Sequence, residues 1–153
     1  MFDSRRAIAP IFWCIAVLCV TRGLDALPPP IPLKKRVKEA PLVILGVLQK
    51  VSDRGHTGLS RIVNLRVKPL EVLKGKLPLK ILNLTFLTFP ESLENKLTQP
   101  PKPGRYIILL RRKIVRDARG KRGVALVLWE PRVFAFEEAN PDVVRRVKLY
   151  LIK

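Results

Sequence analysis

Between residues 41 and 129 the apolar residues fall into five runs of strand length, at 42–51, 61–73, 79–87, 105–115 and 123–129. Val, Ile and Leu dominate the runs, and Gly and Pro punctuate them, which is the pattern of strands rather than helices. In the third run Leu82, Leu84 and Phe86 alternate with Asn83 and Thr85. Strand side chains point alternately to opposite faces, so this run has one dry face that packs and one wet face.

The second run breaks its own alternation. Its apolar residues sit at odd positions (Val63, Leu65, Val67) and then at even ones (Leu70, Val72), across Lys68-Pro69. A strict period of two cannot survive that switch. One account is a β-bulge at Pro69, which has no N–H to donate and would bend a long strand as a small barrel requires. The other is a pair of short strands separated by a kink. Val43, Leu45, Val67, Val72, Leu82, Leu84, Phe86, Ile108, Leu110, Val127 and Trp129 are the expected members of one barrel core.

Outside these runs the chain divides readily. Arg5 and Arg6 precede an uncharged, almost wholly apolar stretch at 7–20, and Ala26 offers a small residue before Pro28-Pro29-Pro30. This is the pattern of a signal peptide over 1–26, and it implies a secreted or periplasmic protein. An uncleaved anchor is the second reading, although the stretch is shorter than the roughly 20 apolar residues a bilayer span needs. Residues 27–40, rich in Pro and Lys, are expected to form an extended linker. Residues 41–153 then make a single domain. Within it a short helix fits around 91–97, and Asn140-Pro141-Asp142 is a helix start signal for a C-terminal helix over 140–152. Val143, Val147 and Tyr150 or Leu151 share one side of that helix, which suits ordinary packing against the sheet.

Two of these segments carry a resemblance. Val67-Lys68-Pro69-Leu70-Glu71-Val72-Leu73-Lys74-Gly75, followed after a proline-rich loop by Pro103-Gly104-Arg105-Tyr106-Ile107-Ile108-Leu109-Leu110, is similar to the paired signature of exported bacterial netrin-like and tissue-inhibitor-of-metalloproteinases-like OB-fold domains. The resemblance implies a mainly β fold: a small five-stranded OB-fold-like Greek-key barrel with a short C-terminal helix. Metalloprotease inhibition does not carry over. In that family it depends on an N-terminal cysteine, and both cysteines of this chain, Cys14 and Cys19, lie within 1–26.

Catalytic chemistry has little to work with. Beyond residue 26 the chain has no cysteine and one histidine, His56, so thiol catalysis and multi-histidine metal sites are excluded, and no metal or cofactor is expected. Ser52, Asp53 and His56 name the members of a hydrolase triad. They share one short segment with Gly55 and Gly58, which reads as turn chemistry instead. An enzyme is therefore not expected.

Charge is the feature that can bind something. The chain carries 30 Lys and Arg against 12 Asp and Glu, a net charge of +18, and almost none of the excess lies in 1–26. Arg111, Arg112, Lys113, Arg116, Arg119, Lys121 and Arg122 cluster at the end of the fourth run and in the turn after it, opposed only by Asp117. In an OB-fold this turn and the one carrying Arg54 and His56 are the loops that hold oligomeric ligands. The expected function is a non-enzymatic binding module for a polyanion, such as a cell-envelope component, or for a protein partner. The alternative is an OB-fold nucleic-acid-binding protein. Against it, no aromatic residue stands among these cations, and Tyr106, Trp129, Phe134 and Phe136 lie in apolar contexts that suit a core. The simplest competing account of the charge is solubility alone.

Overall fold

The computed structural model describes residues 30–55, 58–77, 80–90, 97–116 and 118–152. The segment read as a signal peptide lies outside them, as do His56, Asp117 and nearly all of the short helix expected around 91–97. Among the described residues six strands form one antiparallel sheet: β1 (Leu42–Gly55), β2 (Arg61–Lys74), β3 (Leu82–Thr88), β4 (Gly104–Arg116), β5 (Arg122–Leu128) and β6 (Phe136–Glu138). The order is β3-β2-β1-β4-β5, and the short β6 adds to β4. The outer strands β3 and β5 approach each other, yet no ladder joins them among the described residues, so the sheet is barrel-like but not closed. Among the described residues two α-helices, α1 (Leu33–Glu39) and α2 (Pro141–Ile152), and a single 3-10 turn at Arg132–Phe134 accompany the sheet. Among the described residues no helix is long and apolar enough to cross a membrane.

β2 is continuous, so the switch in its alternation is a bulge and not a break. Gly46 pairs with Pro69 and Leu45 with Glu71, which leaves Leu70 as the extra residue beside the proline. A second bulge follows at Leu73, and a third falls on β1, where Leu48 pairs with Val67 and Lys50 with Arg66. Each bulge bends the β1–β2 pair and increases its twist, which curls the sheet towards a barrel. Gly46 sits inside the bend. A Cβ there would lie 2.9 Å from Val67 Cγ1 and 3.3 Å from the Lys68 carbonyl oxygen, so the strands can approach only because the residue is glycine.

The two motifs of the resemblance flank the same strand: Ile44 of β1 pairs with Val72 on one side and with Ile108 on the other. This central half of the sheet is buried on both faces. Inside the curl lie Leu42, Ile44, Leu48, Val63, Leu65, Val67, Leu82, Leu84, Phe86, Tyr106, Ile108, Leu110 and Leu128. Outside it, Val43, Leu45, Ile107, Leu109 and Trp129 pack beneath the helices, against Val37 of α1 and Val143 and Val147 of α2. The single expected core is therefore two. Val43, Leu45 and Trp129 belong to the outer one, Val127 is half-buried, and Val72 is 39% exposed. Val72 does share the inner face with Ile44, but β3 pairs with β2 only as far as Val67 and leaves that end uncovered.

The expected extended linker needs correction. Over Leu33–Glu39 it is helix α1, with Arg36 and Val37 buried. Pro32 stands at the N-cap, where a proline costs no hydrogen bond, and its carbonyl accepts from the Arg36 N–H. At the other end Lys74 Nζ donates to the carbonyls of Val37 (3.2 Å) and Lys38 (2.6 Å), placing a cation at the negative end of the helix dipole. In α2 the expected cap is present, since Asn140 Oδ1 accepts from the Val143 N–H at 2.8 Å.

Candidate functional site

β1 accompanies β4 only from Leu48 back to Leu42, which pairs with Leu110. β4 and β5 continue past that point in unbroken register, from Leu110 opposite Leu128 to Arg116 opposite Arg122. They leave the body of the sheet as a two-stranded arm. Burial changes accordingly: Ile107 to Leu110 are fully buried, whereas every residue from Arg112 to Arg116 is exposed.

The seven cations expected here divide by their position on the arm. Arg111, at its base, is committed: its Nη2 lies 2.9 Å from Glu130 Oε1, an acid that Arg132 also approaches at 3.7 Å. Arg112 is close to the Lys76 carbonyl oxygen, at 3.5 Å. Lys113, Arg116 and Arg122 are exposed, and among the described residues no carboxylate pairs with them. Arg116 and Arg122 face one another directly across the ladder, and such a like-charge pair opposes folding. Arg119 and Lys121 flank Gly120, whose φ of +77° makes the turn.

Arg54 does not join this group. It is exposed near the C-terminal end of β1, opposite Ile62, whereas the arm leaves from beyond the N-terminal end of the same strand. The two basic loops expected to share a ligand thus lie at opposite ends of β1. Asp53, which the sequence sets beside Ser52 and His56, instead holds Arg61 at 2.7 Å and clamps the mouth of the β1–β2 hairpin.

A second polar surface was not legible in the sequence. The bulge on β1 brings Lys50 opposite Arg66 and Ser52 opposite Asn64, while β3 sets Asn83 beside Arg66 and Thr85 beside Asn64. Two parallel rows, Lys50–Arg66–Asn83 and Ser52–Asn64–Thr85, therefore run across the outer face of three strands and line a shallow cleft. Thr85 Oγ1 and Asn64 Oδ1 are 2.8 Å apart. The wet alternation of Asn83 and Thr85 was the only available signal. No three His, Cys, Asp or Glu side chains are grouped as a metal site among the described residues. Against known proteins, the chain matches no family model and no curated sequence.

Proposed function

We propose that the chain is an exported, non-enzymatic binding module that holds a polyanion through the β4–β5 arm. The observation that carries this reading is the placing of Arg116 opposite Arg122 on a projecting hairpin, both exposed and with no carboxylate partner among the described residues. Cations gathered on one turn fall within about one Debye length, ~8 Å at physiological ionic strength, so they act together on one anionic chain. Binding then gains from counterion release, and the anion relieves the repulsion between the facing arginines.

Export rests on the apolar stretch at 7–20 and the arginines before it. The strand order and the pairing of β1 with both β2 and β4 agree with an OB-like barrel, and they support the netrin-like resemblance at the level of topology. The nucleic-acid alternative has less support. Tyr106 and Trp129 are buried, Phe86 and Phe136 pack in the inner core, and the outer face of β2 and β3 offers no aromatic platform on which bases could stack.

The test replaces Arg116, Arg119 and Arg122 by Gln and measures retention on heparin as a function of salt. Weaker retention and a shallower salt dependence are expected, because fewer counterions are released. Replacing Lys34, Lys35 and Arg146, all exposed and on the helices, removes the same formal charge and serves as the control. Equal losses in the two triple variants would reduce the basicity to a bulk property.

A further inference from the structure

The arm carries apolar residues that a soluble polyanion leaves unexplained. Ile114 and Val124 are directly opposite each other, 71% and 69% exposed, among the most exposed large apolar side chains described. Alternation along the ladder puts them on the same face as Leu110 and Leu128, so the inner apolar face of the sheet runs on, through half-buried Leu126, out into solvent. Cations bracket the pair on that face. Two residues further out, about 7 Å along the strands, stand Arg116 and Arg122; two residues back stands Arg112.

We infer that the polyanion is an anionic lipid surface, on which the arm lies flat with Ile114 and Val124 in the headgroup boundary and the flanking arginines on phosphates. This rests on the polyanion reading of the arm. Three physical arguments favour lipid over other anions. A sulfated or phosphorylated chain in water satisfies the arginines but offers nothing to the apolar pair between them. One cross-strand pair is too small an apolar patch for a stable protein interface, which buries about 1,200 to 2,000 Å². An interface between headgroups and acyl chains, by contrast, is made for a few apolar side chains ringed by cations, whose long stems reach up to the phosphates. Each Lys or Arg close to an anionic leaflet adds to the attraction. The charged turn argues against insertion tip-first and for the flat orientation.

The experiment uses the full chain and its variants, with sedimentation on vesicles of phosphatidylcholine containing phosphatidylglycerol, and heparin retention measured in parallel. The apolar stretch at 7–20 is common to all variants and cancels in the comparison. Replacing Ile114 and Val124 by Ser keeps every charge and alters only exposed positions. It is expected to weaken vesicle binding by about tenfold or more, given the apolar area withdrawn from water, and to leave heparin retention unchanged. Leu149→Ser with Ile152→Ser, on the exposed side of α2, is expected to change neither. Vesicle binding untouched by the Ile114 and Val124 changes overturns the lipid inference while the polyanion reading stands. Equal losses on vesicles and heparin also overturn it, since the pair would then act through the arm's own structure. A parent that binds neither overturns both.

Discussion

Arg36 of α1 and Glu137 of β6 form the most enclosed ion pair described, with Nη2 2.8 Å from Oε2 and the arginine side chain only 10% exposed. The same guanidinium donates to the Phe134 carbonyl oxygen at 3.0 Å and lies 5.7 Å from the centre of the Phe134 ring. One side chain thus fixes the first helix to the segment that follows β5. Because β6 pairs with β4, the contact also holds the outer core closed over Ile107 and Leu109.

Removing either partner has a different cost. Glu137→Gln leaves a nearly buried cation with weaker acceptors, and a loss of about 1 to 3 kcal/mol is expected. Arg36→Ala is expected to cost more, since it also removes the stem that packs beneath α1 and the charge over Phe134. Urea denaturation of both variants measures the difference. Two midpoints equal to the parent's would mean that the pair contributes nothing to stability.

Phe86 and Val72 provide a contrast within the inner face. Phe86 is 6% exposed and lies 6.2 Å from the Phe136 ring centre, so Phe86→Ala is expected to cost about 3 to 5 kcal/mol. Val72 lies on the same face beyond the end of β3, and Val72→Ala is expected to cost less than about 1 kcal/mol. Thermal denaturation of the two variants checks whether the open end of the barrel is uncovered in solution. A comparable loss at both positions would place Val72 under cover.

What could be read in the sequence follows from where its local rules held. Leu82, Leu84 and Phe86 were legible because β3 contains no bulge, so its alternation survives from end to end. Val43 and Leu45 were expected inside the barrel and lie outside it, and Ile107 and Leu109 read only as apolar, because these strands are buried on both faces and nothing in the runs distinguishes the inside of the curl from the side under the helices. Helix α1 was hidden by its own composition: four of its seven residues are basic, and only Leu33 and Val37 supply an apolar stripe. The cations of the arm were legible as a cluster, but not the capture of Arg111 by Glu130, which depends on the chain turning back after β5. The row through Lys50 was concealed by the bulge next to it, which changes the face on which β1 presents its polar residues.

Gly46 tests the bending directly. The side chain of alanine would meet Val67 Cγ1 at 2.9 Å, with the Lys68 carbonyl behind it at 3.3 Å, and neither a branched core residue nor a paired strand can retreat cheaply. Gly46→Ala is expected to destabilise the protein by about 1 to 3 kcal/mol through overpacking. Pairing it with Val67→Ala, which removes the blocking methyl, should recover part of that loss relative to the sum of the single changes. Strict additivity in the double-mutant cycle would show that the two positions do not meet.

Tyr106 gives the protein a dependence on alkaline pH. Burial first, and the Glu138 carboxylate second, push its phenol above the ordinary value of 10.0. Tyr106 and Glu138 are register partners on β4 and β6, and the Tyr106 ring stands edge-on to Phe136 at 6.1 Å, so the ring cannot turn out to water without disturbing the inner core. Below the ordinary value both folded and unfolded chains keep the proton, and the group contributes no pH dependence. Above it the unfolded chain releases the proton first while the folded chain retains it, so stability falls as pH rises towards the raised folded value. Tyr106→Phe has no proton to lose, so comparing the two proteins isolates this one group. The difference in unfolding free energy, parent minus variant, is therefore expected to stay level up to pH about 9 and to decline from about 10 upwards. A difference that stays flat through that range would mean that the phenol reaches water in the folded protein.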